Sequence, residues 1–94
     1  MRVLWTDIAL ADREHIIRHI AEDDLVAALN LLDRFDAVGD QLESFPASGR
    51  EGRVTGTREI VAHENYLLVY TISQDAVRIL NVLHAAQQWP PIIR

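Results

Sequence analysis

The chain has 94 residues, 49% of them hydrophobic and none of them cysteine, which suits one domain over residues 1–94 with one small core and excludes a disulfide framework. The net charge of −5 argues against a non-specific nucleic-acid binder, which carries a strongly basic surface. No apolar run reaches the ~18 residues of a membrane span and no signal peptide is recognisable, so we expect a cytoplasmic protein without membrane contacts.

The first half of the chain predicts a strand followed by a helical hairpin. Arg2–Trp5 is a short apolar stretch that is typical of an edge strand. Thr6 is a good N-cap for a helix that runs to about residue 21, and Asp24 is a good N-cap for a second helix. Pro46 ends the second helix, because the residue before proline is disfavoured in the α region. The apolar residues of that helix recur at helical spacing as Leu31, Phe35, Val38, Leu42 and Phe45.

The second half of the chain has the composition of strands. Three segments are rich in β-branched and aromatic residues, namely Arg58–His63, Tyr66–Ile72 and residues 76–83. The connections at residues 64–65 and 73–75 are short enough for hairpin turns, which predicts an antiparallel meander with the N-terminal strand as a candidate fourth member. The prediction is an α+β fold, in which an antiparallel helical hairpin packs on an antiparallel sheet of three or four strands.

Residues 45–59, which connect the two halves, are here called the Gly/Arg loop. The loop holds three of the four glycines and three of the nine arginines of the chain: Gly49, Gly52, Gly56, Arg50, Arg53 and Arg58. Residues 1–45 carry ten acidic side chains and four arginines, whereas residues 46–94 carry four and five. We therefore expect an anionic target to bind the second half, where arginine offers a planar fork of donors. The alternative is a solvated connection whose arginines form weak surface ion pairs.

Several short motifs follow one another in an order that resembles a known family. They are Trp-Thr-x-x-Ala, Phe-Pro-x-x-Gly-Arg, Gly-Thr-Arg-Glu, Tyr-x-x-Val-Tyr, Val-Leu-His and Trp-Pro, spread between Trp5 and Pro90. The ordered set resembles the RelE/ParE toxins of bacterial type II toxin–antitoxin modules, which include plasmid stabilisation systems. The resemblance implies a growth-inhibiting toxin that is neutralised by a cognate antitoxin from the adjacent gene, within a hetero-oligomer of the two proteins.

The family divides by target, and two positions bear on the target of this chain. RelE-type members cleave mRNA on the ribosome, whereas ParE-type members inhibit DNA gyrase. RelE-type toxins commonly carry an arginine in the middle strand where this chain has Leu67, and many relatives carry another where it has Gln87. The sequence therefore resembles the ParE-like members more closely, which implies gyrase inhibition. The alternatives are a RelE-type mRNA endonuclease and an inactive relative that only binds the antitoxin.

The candidate site residues depend on which target is correct. The surface expected to contact the target comprises Arg50, Arg53, Arg58, His84 and Trp89. For a RelE-type nuclease, His84 would act as the general acid and Arg78 as a phosphate clamp, because strand alternation places both on one face. The catalytic set would then be Arg58, Arg78 and His84. The alternative for His84 is an ordinary strand residue. No cofactor is expected, and no metal site is predicted, because His15 and His19 lack further ligands on a second element.

Overall fold

The computed structural model describes residues 1–90. Its elements, in chain order, are β1 (Arg2–Trp5), α1 (Asp7–Asp23), α2 (Leu25–Ser44), a 3-10 helix (Pro46–Ser48), β2 (Arg50–Glu51), β3 (Arg58–His63), β4 (Tyr66–Ile72) and β5 (Ala76–His84). The five strands form one sheet in the order β1-β5-β4-β3-β2, and the two helices pack against one face of it. The predicted α+β architecture, with a helical hairpin on a sheet, is confirmed.

Side-chain caps fix where both helices begin. The Thr6 hydroxyl accepts a hydrogen bond from the Ala9 N–H at 3.2 Å, and a carboxylate oxygen of Asp24 accepts one from the Ala27 N–H at 3.0 Å. Each bond satisfies a backbone donor that the first helical turn leaves free. The Asp24 N–H also donates to Ile20 O, so one residue ends α1 and begins α2. Both predicted N-caps are confirmed, and α1 continues two residues beyond the predicted end at residue 21.

The sheet has five strands, which corrects the prediction of three or four antiparallel strands. β1 pairs in parallel with β5, with Arg2 opposite Ala76 and Trp5 opposite Ile79. A parallel pair requires a long crossover, and the helical hairpin is part of the chain that joins these two strands. β2 is the additional strand, and its two residues pair with β3 inside the Gly/Arg loop. A strand of two residues has no sequence period by which to recognise it.

The helices bury their apolar stripe against one face of the sheet. Four of the five residues predicted for the inner face of α2 are buried, namely Leu31, Phe35, Val38 and Leu42. The prediction was wrong for Phe45, which is 67% exposed because it caps α2 and no longer lies on its inner face. The opposite side of the sheet is here called the open face. A smaller buried cluster of Leu67, Val69 and Leu83 lies on it.

Candidate functional site: the Gly/Arg loop and the open face

Glu59 is the residue on which the Gly/Arg loop is assembled. Its side chain is 2% exposed, and one carboxylate oxygen accepts a hydrogen bond from Arg50 Nη2 at 3.2 Å. The other carboxylate oxygen accepts the Arg53 backbone N–H at 2.9 Å and lies 3.3 Å from Arg53 Nε. One buried carboxylate therefore fixes the backbone of the loop and two of its arginines. Sequence reasoning gave Glu59 no such role, although a buried carboxylate requires partners of this kind.

The same contacts set the ionisation of Glu59. Burial by itself raises the pKa of the carboxyl, because a charged group is poorly solvated inside the protein. The hydrogen bonds from the Arg53 N–H and the Arg50 side chain lower this pKa, and so do the charges of both arginines. The lowering effects prevail, so the pKa of Glu59 lies below its ordinary value. The folded protein therefore favours the ionised carboxylate over the protonated form.

Tyr70 and Arg58 anchor the start of the loop to the sheet. The buried Tyr70 hydroxyl donates to Pro46 O at 2.7 Å and accepts the Gly49 N–H at 2.9 Å. Burial raises the pKa of Tyr70, and this effect outweighs the Gly49 hydrogen bond and the Arg58 charge, which lower it. Arg58 Nη1 donates to Gly49 O at 2.8 Å and to Ala47 O at 3.4 Å. Arg58 was predicted to contact the target, yet here its guanidinium binds carbonyl groups of the loop itself.

The tip of the Gly/Arg loop is a tight turn. The Thr57 N–H donates to Val54 O at 3.0 Å, and Gly56 lies between them with φ of 88°, a conformation that residues with a side chain rarely adopt. The Gly52 N–H donates to Thr57 O at 2.8 Å, which closes the base of the turn. Residues 51–58 line a recess of about 320 Å³ at this tip. The glycines thus shape the loop, and the arginines lie around it.

Arg50 and Arg53 remain the accessible cations of the loop. The Arg50 side chain is 64% exposed and that of Arg53 is 37% exposed, although both contact Glu59. Arg53 Nη1 also donates to Gln87 O at 3.3 Å, which joins the loop to the segment that follows β5. The structure therefore brings together part of the predicted target-binding set, since Trp89 belongs to that same segment.

Leu67, the position at which the resemblance implies an arginine for a RelE-type toxin, belongs to the apolar cluster on the open face. Leu67 is 3% exposed and packs with Val69 and Leu83. Leu80 and Trp89 pack against this cluster, so the indole covers part of the open face. A charged side chain at position 67 would lose its hydration and find no partner among these apolar side chains, which is energetically costly. The cluster supplies neither a proton donor nor a cation.

The structure does not bring Arg78 and His84 together, contrary to the face that strand alternation predicted. Arg78 lies between Val77 and Ile79, which pack against the helices, so it belongs to the open face. A register shift in the pairing of β4 with β5 leaves Leu80 without a partner and reverses the alternation beyond it. His84 pairs with Tyr66 and lies six residues further along, about 20 Å at ~3.3 Å per residue.

His84 instead belongs to the far end of the sheet on the helix side. Its ring contacts the Tyr66 ring edge-on, with centroids 5.3 Å apart, and Tyr66 packs against the core under the helices. His84 Nδ1 accepts the Ala86 N–H at 3.0 Å, which leaves Nε2 for a partner. His84 is exposed, and neither Arg50 nor Arg53 contacts it in the described part of the chain.

The helix face that carries His15 and His19 has a different use. Asp12 of this face accepts hydrogen bonds from Asn81 and from the Val82 N–H, both on β5.

Within residues 1–90, no three histidine or acidic side chains come close enough together to hold a metal ion. Across the same residues, no helix is both long and apolar enough to span a bilayer.

Comparison with known proteins identifies the family. A family model described as the ParE toxin of the type II toxin–antitoxin system parDE matches residues 3–89. The candidate toxin Y4kP of Sinorhizobium fredii is 44% identical over 98% of this chain and 96% of its own length. Toxin RelE2 of Caulobacter vibrioides is 33% identical over 92% of this chain and 97% of its own length.

Solved structures share the fold at low sequence identity. A chain of the chromosomal ParDE TA system from P. aeruginosa has a TM-score of 0.79 and 20% identity, over 89% of this chain and 95% of that chain. The YoeB/ParE toxin from Agrobacterium tumefaciens has a TM-score of 0.63 and 14% identity, over 89% and 98%. The chain belongs to the RelE/ParE family and is the toxin of a type II toxin–antitoxin module. Family membership implies a cognate antitoxin as its partner.

Proposed function

We propose that this toxin acts in the ParE manner, by binding and inhibiting DNA gyrase, and that it has no nuclease site. The observation that carries the proposal is the buried Leu67, which lies in an apolar cluster with Val69 and Leu83 on the open face. Cleavage of RNA requires groups that activate the 2′-hydroxyl, stabilise the pentavalent phosphate and protonate the leaving oxygen. This cluster offers none of the three.

The positions of the other nuclease candidates support the same proposal. A phosphate clamp and a general acid must reach one phosphodiester, within a few ångströms of each other. Arg78 and His84 lie about 20 Å apart along β5 and on opposite faces of it. Arg58 is held by carbonyl groups of the Gly/Arg loop. These three residues therefore form a poor catalytic set, whereas separate contact residues suit a surface that only binds.

The proposed contact surface is the exposed side of the Gly/Arg loop together with the segment after β5. Arg50 and Arg53 supply accessible guanidinium groups. Trp89 supplies an aromatic ring two residues after Gln87, whose backbone oxygen accepts a hydrogen bond from Arg53. Arginine and tryptophan are enriched among the residues that dominate protein–protein binding energy. His84 remains a candidate for the edge of this surface. Action on gyrase would also place the protein in the cytoplasm.

One observation favours the RelE-type alternative. The relative from Caulobacter vibrioides, which is 33% identical, bears the name Toxin RelE2. Under this alternative the protein would be an mRNA endonuclease that uses Arg58, Arg78 and His84. The third alternative is a relative that has lost activity and only binds the antitoxin. All three are distinguished by the same pair of assays.

The deciding experiment measures both candidate activities with one protein preparation. Purified toxin is added to a gyrase supercoiling reaction and, separately, to a translation reaction in which cuts within codons are mapped by primer extension. We expect inhibition of supercoiling and intact mRNA. Cleaved mRNA with normal supercoiling would refute the proposal in favour of the nuclease. The absence of both effects in a folded protein would refute it in favour of the inactive relative.

Variants of the Gly/Arg loop test the contact surface. Arg50→Ala with Arg53→Ala should weaken gyrase inhibition by about tenfold or more, because contact arginines often contribute more than ~1 kcal/mol to binding. Arg18→Ala is the matched control, since Arg18 is 77% exposed on α1 and pairs with Glu14 of the same helix. Full potency in the folded double variant would show that the loop arginines do not contact the target.

A further inference from the structure

A chain of side-chain hydrogen bonds connects α1, β5 and the segment that follows β5. One carboxylate oxygen of Asp12 accepts hydrogen bonds from Asn81 Nδ2 at 3.1 Å and from the Val82 N–H at 3.0 Å. Asn81 Oδ1 in turn accepts the Trp89 indole N–H at 3.2 Å. The Asn81 side chain therefore uses its donor toward the helix and its acceptor toward the indole, so its amide orientation is fixed from both sides.

This arrangement depends on the irregularity in β5. Val69 pairs with Asn81 and Tyr70 pairs with Ile79, so the strand carries one extra residue between these positions. An extra residue of this kind changes the face of the sheet on which each following side chain lies. Asn81 can therefore contact the helix on one side and Trp89 on the other. The pairing of β1 with β5 ends at Ile79, so within residues 1–90 the part of β5 beyond Ile79 has no neighbouring strand on that side.

The N-terminal end of α1 is fixed against the same part of β5. The Thr6 hydroxyl donates to Ile79 O at 2.9 Å, and the Thr6 N–H donates to the same oxygen at 3.1 Å. Asp12 lies in the second turn of that helix. Thr6 and Asp12 thus attach α1 on both sides of the irregularity, and Asp12 has a defined position from which to hold Asn81.

Trp89 connects this network to the open face. Its ring packs on the buried cluster of Leu67, Val69 and Leu83, while its N–H is held by Asn81. Two residues earlier, Gln87 O accepts a hydrogen bond from Arg53 of the Gly/Arg loop. The indole, the segment before it and the loop therefore form one continuous surface. Only Asn81 provides the indole N–H with a partner within residues 1–90.

We propose that Asp12 and Asn81 are positioning residues, which fix Trp89 and the segment around it in the geometry that binds the target. The proposal rests on the proposed function, because it takes this segment as part of the gyrase-binding surface. Neither residue needs to touch the target. Asp12 holds the amide of Asn81, and Asn81 holds the indole.

The test exchanges the chemistry of the two side chains. Asn81→Asp removes the donor that faces Asp12 and places two carboxylates in contact, which is strongly unfavourable. Asp12→Asn alone retains an oxygen that can accept from Asn81 and from the Val82 N–H. The double variant Asp12→Asn with Asn81→Asp removes this repulsion, because the new amide donates to the new carboxylate, which still accepts the indole N–H. Its amide no longer offers the Val82 N–H the oxygen that Asp12 does, so the network is restored only toward Trp89. Asn30→Asp adds the same charge on an exposed part of α2 and is the matched control.

Two readouts are measured for each variant. Acrylamide quenching reports the exposure of Trp89, with a Trp89→Phe protein supplying the contribution of Trp5 for subtraction. Gyrase supercoiling assays report potency. We expect Asn81→Asp to increase quenching and to lower potency by about tenfold or more, since it breaks a bond to a charged group. The double variant should recover part of both readouts, and Asp12→Asn and Asn30→Asp should resemble the wild type.

If Asp12 and Asn81 contributed only to stability, folded variants would show the same quenching of Trp89 as the wild type. Circular dichroism confirms that each variant is folded at the assay temperature, and Asn81→Ala, which adds no charge, replaces Asn81→Asp if that variant does not fold. Unchanged quenching in a folded Asn81 variant, or no recovery in the folded double variant, would overturn the proposal. If the wild type leaves gyrase active, the proposed function fails. The quenching series and growth arrest in cells then decide whether the pair positions Trp89.

Discussion

Replacement of Glu59 by glutamine tests whether a buried carboxylate organises the Gly/Arg loop. The variant retains the shape of the side chain and one acceptor oxygen, which can still receive the Arg53 N–H. It removes the charge that attracts the guanidinium groups of Arg50 and Arg53, which lie at 3.2 and 3.3 Å. We expect the variant to fold with lower stability and with a less ordered loop.

The size of the effect follows from the exposure of each partner. The Arg53 N–H donates to a carboxylate that is 2% exposed, and a bond to a charged group contributes about 1.5–3 kcal/mol against about 0.5–1.5 for a neutral pair. Arg50 is 64% exposed, so its ion pair contributes only about 0–1 kcal/mol. The expected loss in the free energy of unfolding is therefore about 1–2 kcal/mol. For a domain of this size the melting temperature should fall by roughly 5–15 °C.

The pH dependence gives a second, independent expectation. The pKa of Glu59 is lower in the folded protein than its ordinary value of 4.5. The unfolded chain therefore binds the proton more readily, and the stability contributed by Glu59 is fully present above the ordinary pKa. It is lost as the pH falls through the lower pKa of the folded state. The difference in melting temperature between wild type and Glu59→Gln should therefore shrink below about pH 4.5.

Thermal unfolding of the refolded free toxin, followed by circular dichroism between pH 7 and pH 3, measures both quantities. Glu51→Gln is the matched control, because Glu51 is an exposed carboxylate in the same loop. It should leave the melting temperature unchanged at pH 7. If Glu59→Gln also leaves it unchanged, or if the difference grows as the pH falls, then Glu59 does not organise the loop in the way described.

Two further predictions concern the supports of the loop and the helix behind it. Tyr70→Phe removes the hydroxyl that joins Pro46 O to the Gly49 N–H, and should lower the free energy of unfolding in urea by about 1–3 kcal/mol. Gly49→Ala would place a Cβ 2.6 Å from the Tyr70 hydroxyl and should cost about 1–3 kcal/mol, whereas Gly39→Ala in α2 meets Trp5 at an ordinary 3.6 Å and should add about 0.5–1 kcal/mol. The opposite signs of the two glycine variants, measured in the same urea titration, check the packing around each position.

Local rules were sufficient for the helices and for the approximate limits of the three long strands. Thr6 and Asp24 are side chains whose chemistry acts within three residues, so their role as N-caps is readable without any knowledge of the fold. The stripe in α2 was readable for the same reason, since helical spacing alone decides which residues share a face. The exception, Phe45, lies where the helix ends and spacing no longer applies.

The arrangement of the candidate site was less accessible to sequence reasoning. The contacts of Arg50 and Arg53 with Glu59 were not predicted, although the three residues lie close together in the chain. The prediction that Arg78 and His84 share one face of β5 was wrong, because one extra residue in β5 reverses the face of the residues after it. The extra residue shows only in the register of β5 against β4, and the pattern of β5 itself does not reveal it.

By itself, the sequence determined the family, through the order of its short motifs along the chain. It also determined the helical hairpin with its caps and the segments that become the long strands, since these depend on residues that are neighbours in the chain. The tertiary structure alone decided that β1 lies parallel to β5, that Glu59 binds two arginines, and that Asn81 joins Asp12 to Trp89. These contacts include pairs of residues that are far apart in the chain, such as Arg2 of β1 and Ala76 of β5. Each of these contacts joins segments that only folding brings together, and no local sequence pattern carries that information.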